Sequence, residues 1–393
     1  MAESERRAGH YIRQLTGYKA FIPASLPPEP PIEIDAGMLA LLSAADLAVG
    51  RLDGAALTLP DPDLFVAMYV RREAVLSSQI EGTQSTLDDV LEFELDPASG
   101  RELPQDVTEV VNYVHAMNYG LQRLSSLPLS LRLIREIHQE LLFNVRGAEN
   151  APGEFRSSQN WIGPENTPLE KATFVPPPVE DMHDALANLE RFMHDDLSLP
   201  ILIHCGIAHA QFETIHPFLD GNGRVGRLLI TFLLCHRGVL QRPLLYISHY
   251  LKRNRVEYYD RLMAIRNAGD WEGWLRFFLR GVAETAEEAT VTARSIITLR
   301  DQHRAAVQGN RLGVKGLELL NLLYQSPILN VNFAKERLQV SYGTANKLVD
   351  ELESLRLLEE VTGGQRNRRF RYTPYLELFE DRSTADAGPD RSE

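Results

Sequence analysis

The sequence predicts a mainly α-helical protein with one short β-hairpin flap and a small C-terminal winged helix-turn-helix unit. Three observations lead there. Apolar residues recur at helical spacing through much of residues 64–307. Two short β-prone runs flank a Gly-Pro-Glu-Asn turn at 163–166. After about residue 316 the pattern is three short helices followed by two strands.

The stretch FIPASLPPEPPIEID, Phe21–Asp35, holds too many prolines for a helix and predicts an extended strap. From Leu64 to Ile80, residues Phe65, Met68, Leu76 and Ile80 share a helical face that Arg72 interrupts and Gly82 closes. Further helices are predicted over Val107–Leu124, Leu131–Phe143 and Val179–Asp195. Between the last two, Gly153–Pro178 carries the β-prone runs Asn160–Ile162 and Thr173–Val175, a hairpin or flap. Pro200 opens a helix through Ile201–Phe212. Farther on, Val225, Leu228, Leu229, Phe232 and Leu233 repeat on one face while Ile230 and Leu234 make the other face apolar, so that helix is buried on all sides.

Helical patterns resume over Arg253 to about Arg280 and Ala283 to about Val307, and a composition shift at Gln308–Gly316 predicts a linker. Helices then follow at Glu318–Gln325, Asn332–Leu338 and, after the turn QVSYG, Thr344–Leu355. LEEVTGGQRNRRFRYTP supplies two strands with a Gly-Gly tip, and the polar tail from Asp381 is expected to be disordered. The expected divisions are an N-terminal region 1–105, a core 106–307, the winged helix 308–380 and the tail 381–393.

Composition narrows the class. The chain has 393 residues, 44% apolar and 24% charged, enough for two or three compact domains. No apolar run reaches the ~18–20 residues of a bilayer span, and MAESERRAGHYIRQL lacks the apolar centre of a signal peptide, so the expected location is cytoplasmic, without a membrane partner. Cys205 and Cys235 both fall in apolar helical segments and are expected to be reduced and packed. The net charge of −13 excludes a surface given over to nucleic acid but leaves room for a local basic patch.

The richest chemistry lies in TIHPFLDGNGRVGRLLITFLL, Thr214–Leu234. Gly221, Asn222 and Gly223 stand where the buried helix begins, and unsatisfied N–H groups at a helix start favour an anion. Arg224 and Arg227, three apart on the first turn, are suited to binding the same anion. Asp220 would repel a phosphate unless a divalent cation lay between them, which implies Mg²⁺, an ion that takes one or two carboxylates with water and phosphate oxygens. His216 has the ordinary pKa of a general base at neutral pH. Each residue alone fits a packed or capped structural role, but together they point to a phosphoryl or nucleotidyl site. The sequence has no Walker GK[ST], no EF-hand alternation of acids, and no zincin spacing among His204, His209 and His216.

HPFLDGNGRVGR, His216–Arg227, resembles the signature of the Fic family, HxFx[DE]GNGRxxR, with every defined position filled. The likeness extends to FIPASLPPEPP as the family's N-terminal strap, GEFR…NWIG…FVPPP as its target-docking flap and YYDRL near the nucleotide base. It covers about two-thirds of the chain, from near Gly17 to near Leu279. It implies a Fic-type helical core that transfers AMP from ATP to a Ser, Thr or Tyr hydroxyl of a protein and releases pyrophosphate. His216 would deprotonate the hydroxyl and Asp220 would hold Mg²⁺. Asn222 with the amides of Gly221 and Gly223 would form the anion hole. Arg224 would hold the β-phosphate and Arg227 the γ-phosphate. Tyr258, Tyr259 and Leu262 would wall the adenine, although these residue types also fit a packed core. The kinase-like Doc branch carries lysine where Gly223 stands, so Gly223 favours AMP transfer.

SSQIEG, Ser77–Gly82, resembles the family's inhibitory motif [ST]xxxE[GN], with Ser77 and Glu81 on one helical face. The resemblance implies that Glu81 pairs with Arg227 and removes it from the γ-phosphate. A role for Glu81 in activating water to remove AMP stays open. In the C-terminal unit, Arg366, Arg368, Arg369 and Arg371 suit DNA phosphates, whereas Thr344–Leu355 offers Lys347 beside Asp350, Glu351 and Glu353. The expected partners are therefore a protein with a hydroxyl acceptor, the chain itself included, DNA through the winged helix, and a second copy in a homodimer. A rival reading is a nucleotide-sensing transcriptional regulator acting through the winged helix.

Overall fold

A computed structural model describes residues 7–57, 62–95, 105–145, 149–164, 167–195, 199–364 and 368–380. Arg366, the expected tail from Asp381, and Glu165 and Asn166 of the expected flap turn lie outside these residues. The described chain is mainly helical. Strands β1 (Gly9–Arg13) and β2 (Lys19–Pro23) come first, then helices α1 (Ala36–Leu57), α2 (Pro62–Ile80), α3 (Leu87–Leu95), α4 (Gln105–Arg123) and α5 (Leu131–Leu141). They continue as α6 (Val179–His194), α7 (Ile201–Ile215), α8 (Asn222–His236), α9 (Ser248–Arg253), α10 (Arg255–Ala268) and α11 (Trp271–Gly309). The chain closes with α12 (Gly313–Gln325), β3 (Ile328–Asn330), α13 (Val331–Leu338), α14 (Tyr342–Ser354), β4 (Glu359–Glu360), β5 (Arg369–Arg371) and α15 (Thr373–Leu376). Among the described residues, no helix is long and apolar enough to cross a membrane.

Two compact units emerge. Described residues within Met1–Gly54, Glu73–Ser85 and Leu103–Glu287 form the first, and those within Ala55–Arg72, Thr86–Glu102 and Glu288–Glu393 the second.

In the first unit, α7 and α8 form the centre. Every residue of α7 after Ile201 is buried, and of α8 only Gly223, Cys235 and His236 are not. Neither helix has a solvated stripe, which the all-round apolar pattern predicts for α8. Helix α5 starts at Ser130, whose hydroxyl accepts the Leu133 N–H at 3.4 Å. The strap begins differently from the sequence expectation: Lys19–Pro23 pairs antiparallel with Gly9–Arg13, so Phe21 is a strand residue, and the extended segment starts after Pro23. The flap is slighter than two three-residue strands. Its arms share one antiparallel bridge, Ile162 with Phe174, closed by hydrogen bonds of 2.8 and 3.0 Å. Cys205 is buried and Cys235 half-buried, and both thiols are free. The helix expected over 253–280 breaks at Gly269, which takes φ 68° and caps α10, while α11 runs through 280–283 without interruption.

In the second unit, β3, β5 and β4 form an antiparallel sheet in that order beside α12, α13 and α14. Asn330 caps α13 by accepting the Phe333 N–H, and Ser341 caps α14 by accepting that of Thr344. The described arginines near the strands are already paired. Arg368 reaches Asp350 at 3.1 Å, Arg369 meets Glu92, and Arg371 meets Asp88 at 3.2 Å and Glu380 at 2.8 Å. Phosphate contacts by these residues would have to compete with carboxylates.

Candidate active site

Helix α7 ends at His216, which adopts a left-handed backbone (φ 49°, ψ 60°) while its N–H still bonds to the Phe212 carbonyl at 3.0 Å. A non-glycine residue in that conformation needs support from outside the helix. The His216 carbonyl accepts from Arg156 Nε at 3.0 Å and Asn160 Nδ2 at 3.2 Å. Burial, and then the charge of Arg266, lower the imidazole pKa to about 3 against an opposing pull from Glu81. Nδ1 is buried without a partner. The imidazole is therefore neutral across the physiological range, but its pKa lies well below the ordinary general-base value expected from the sequence, which makes it a weaker base in this state.

The loop to α8 is closed by Asn222. Its Oδ1 accepts the Phe218 N–H and its Nδ2 donates to the Phe218 carbonyl, both at 2.8 Å. The carboxamide thus braces the loop, and what Asn222 offers an anion is its backbone N–H. Gly221 precedes the helix at φ 76°, with no side-chain cap on the first turn. His138 of α5 adds a second brace. Gly153 N–H donates to its Nδ1 at 2.8 Å, which leaves Nε2–H to donate to the Asp220 carbonyl at 3.0 Å. The ring stacks on Phe218 with centroids 3.7 Å apart, and burial lowers its pKa to about 4.

Asp220 keeps a third of its side chain exposed and accepts the Gly221 N–H at 2.5 Å and Arg224 Nη2 at 3.4 Å. Among the described residues there is no cluster of three or more His, Cys, Asp or Glu able to hold a metal. One partly open carboxylate beside an uncapped helix start nevertheless fits Mg²⁺, an ion that draws its other ligands from water and phosphate.

The two arginines go to different partners. Arg224 Nη1 pairs at 3.1 Å with Glu109 of α4, and both side chains are almost wholly buried. Arg227 turns to α2. Its Nε donates to Ser77 Oγ at 2.7 Å, and its Nη2 donates to the Ser77 carbonyl at 2.9 Å and to Glu81 Oε1 at 2.6 Å. Burial alone would raise the Glu81 carboxyl, but Arg227, with Arg224 and His216, holds it below the ordinary carboxylate range. A Cβ built on Gly223 would lie 2.2 Å from Glu81 Oε1 and 3.0 Å from Arg227 Nη1. Glu81 therefore occupies the space beside the helix start that glycine leaves open.

Two buried acids lie near this pair. Glu73 accepts from Tyr113 at 3.3 Å and from the Ser248 hydroxyl, and burial raises its pKa to about 7. Glu213, also raised to about 7 by burial, lies against Gly226, with Oε1 unpartnered.

Of the residues expected around the adenine, Tyr258 is 1% exposed, with its hydroxyl 2.9 Å from His209 Nε2 and its ring against Trp274. Leu262 is buried, whereas Tyr259 is partly exposed beside Arg255. Tyr258 and Leu262 thus belong to the core, and Tyr259 alone of the three has an open edge. Sequence reasoning missed Glu109, His138, Arg156, Asn160, Glu73 and Glu213. Arg156 and Asn160 stood within the flap string, but nothing in their spacing connected them with His216.

Residues 39–122 match the N-terminal region of the Fic/DOC family, and residues 128–234 match the Fic/DOC family. The proteins named protein adenylyltransferase Fic of Drosophila grimshawi and Drosophila virilis are each 30% identical over 215 residues, 53% of this chain. That match spans 40% of the first relative's length and 39% of the second's. A Fic family protein from Desulfovibrio desulfuricans G20 superposes with a TM-score of 0.55 at 20% identity, covering 88% of this chain and 98% of its own. A Fic domain containing signaling protein from Bacteroides thetaiotaomicron VPI-5482 gives 0.50 at 18% identity, over 64% and 95%. At these identities the structural likeness establishes the fold.

Proposed function

We propose, from the premise that the chain belongs to the Fic/DOC family across residues 39–122 and 128–234, that it is a protein adenylyltransferase held inactive by Glu81. The hydroxyl oxygen of a Ser, Thr or Tyr on a target protein attacks the α-phosphorus of ATP, the bond to the β-phosphate oxygen breaks, and pyrophosphate leaves. His216 takes the hydroxyl proton, a role that suits a neutral imidazole at the edge of the anion site. Backbone N–H groups of Asn222 and Gly223 face the charge that moves onto the leaving group. Arg224, fixed by Glu109, holds the β-phosphate. Asp220 would hold Mg²⁺, which supplies charge neutralisation to the phosphates when bound.

The observation that carries the reading is the engagement of Arg227 by Ser77 and Glu81 at the first turn of α8. That guanidinium is the group the γ-phosphate needs, and a carboxylate occupies it. The test is mass spectrometry for added AMP after incubation with ATP and Mg²⁺. Glu81→Gly is expected to modify itself or a target faster than the parent chain, and Glu81→Gly with His216→Ala is expected to be silent. Transfer by the double variant at the rate of the single one would remove His216 from the mechanism.

A further inference from the structure

Three consecutive carbonyls of the catalytic loop are captured by one short segment. The His216 carbonyl accepts from Arg156 Nε (3.0 Å) and Asn160 Nδ2 (3.2 Å), the Pro217 carbonyl from the Arg156 backbone N–H (2.9 Å), and the Phe218 carbonyl from Asn160 Nδ2 (2.7 Å). Arg156 is 2% exposed. Its remaining guanidinium nitrogens donate to the Ser158 carbonyl at 3.2 Å and the Pro177 carbonyl at 2.5 Å. Among the described residues its hydrogen-bond partners are all backbone carbonyls. A buried cation satisfied by dipoles rather than by a carboxylate is an unfavourable placement that a packing role does not require. The planar fork lets one side chain tie the His216 peptide to both ends of the flap segment, which a single ammonium cannot do.

The captured peptide is also the one that needs holding. His216 leaves α7 in the left-handed region, where a β-carbon is disfavoured, and released from its ties it would relax toward the helical conformation. Its side chain would then swing with the backbone. We infer that Arg156 and Asn160 are positioning residues for His216, fixing its left-handed peptide so that the imidazole meets the incoming hydroxyl. Among the described residues none of their hydrogen bonds goes to the first turn of α8 or to its two arginines, although Asn160 shares the Phe218 carbonyl with Asn222. Their contribution is therefore assigned to the chemical step and not to nucleotide binding. The Arg156 charge also acts directly on the imidazole, favouring its neutral form.

The test uses the full chain carrying Glu81→Gly, with Arg156→Lys, Arg156→Met and Asn160→Ala added singly and folding checked by thermal melting. The expected result is a kcat for AMP transfer lowered about 10- to 100-fold in each, with the Kd for ATP unchanged. In Arg156→Met the acid limb of the pH profile moves to higher pH, because a cation beside the imidazole has been removed, while in Asn160→Ala it stays in place. A parent-like kcat in Arg156→Lys and Asn160→Ala overturns the inference, as does a loss that merely tracks the fraction of unfolded chain. Because the inference rests on the transferase reading, a second measurement avoids turnover: the ¹H–¹⁵N side-chain resonances of His216, identified by their loss in His216→Ala. They are expected to shift in Arg156→Lys and Asn160→Ala, and unshifted resonances overturn the positioning role. Shifted resonances in a Glu81→Gly parent that transfers no AMP overturn the proposed function and leave the positioning role standing.

Discussion

Replacing Glu81 by glycine removes one contact from Arg227 and leaves two. The lost hydrogen bond is 2.6 Å long and joins a side chain that is 1% exposed to one that is 36% exposed. A fully buried pair would cost ~3–5 kcal/mol to break. With a third of the carboxylate in water, the net worth falls to about 1–2 kcal/mol after solvent screening. Arg227 stays anchored, because Ser77 still accepts through Oγ and through its carbonyl. What the substitution frees is one of the two N–H bonds of Nη2, the one a γ-phosphate would otherwise have to win from the carboxylate, while the other stays on the Ser77 carbonyl. One to two kcal/mol of competition corresponds to about a 5- to 30-fold gain in productive complex. Initial rates of labelling with α-labelled ATP measure it, and calorimetric ATP titration of the same variants shows whether the gain lies in binding or in pose. Glu81→Gln, which keeps the volume and loses the charge, is expected to fall between the parent and Glu81→Gly. The reasoning is refuted if Glu81→Gly labels no faster than the parent.

Three further outcomes follow from the same geometry. Gly223→Ala brings a methyl group to 2.2 Å from Glu81 Oε1, the free end of a flexible side chain, so Glu81 is displaced and basal labelling rises. In a Glu81→Gly background the same alanine gives no further gain, and additive gains in the four-variant cycle would show that the two positions do not communicate. Chelation of Mg²⁺ is expected to stop labelling, and Asp220→Asn to raise the Mg²⁺ concentration for half-maximal rate; an unshifted metal dependence would take Asp220 out of the site. Stability should fall on acidification between pH 6.5 and 4.5. His138, His209 and His216 stay neutral in the folded chain, with pKa values lowered to about 4, 4 and 3, so unfolding takes up three protons there below pH 6.5. Glu73 and Glu213, raised to about 7, are already protonated in the fold above pH 4.5, and unfolding releases two. His204, His236 and His303, also lowered by burial, add to the uptake, so unfolding binds more protons than it releases; urea unfolding across that window reads the fall, and stability that rises on acidification would contradict it.

Local chemistry was legible in the sequence, and long-range pairing was not. Helix α8 and the uncapped start that precedes it could be read because the glycines, the arginines and the apolar run are contiguous, and contiguity is what periodicity and capping rules detect. Helix α1 went unrecognised because Ala36–Leu57 is dominated by small and apolar residues, with Leu39 and Leu47 exposed although Leu42 and Val49 are buried, so no polar stripe marks an outer side. The N-terminal hairpin was missed because the prolines after Phe21 drew that residue into an extended segment, although its N–H bonds to the Val175 carbonyl at 2.9 Å and its backbone pairs with Tyr11. The same limit governs the site. Glu109 lies 115 positions from Arg224, His138 82 from Asp220, and Arg156 60 from His216, and each is an ordinary polar residue in its own helix or loop. Glu81 could be placed only because its string resembles a family motif; helical spacing alone gives it the look of a solvated glutamate before a glycine. The motif therefore identifies where the proposed nucleotide would bind. In the proposed complex, whether Arg227 meets a phosphate or the chain's own carboxylate depends on Glu81, just past the end of α2 and 146 positions from Arg227, and on a glycine at 223 that leaves room beside the helix start.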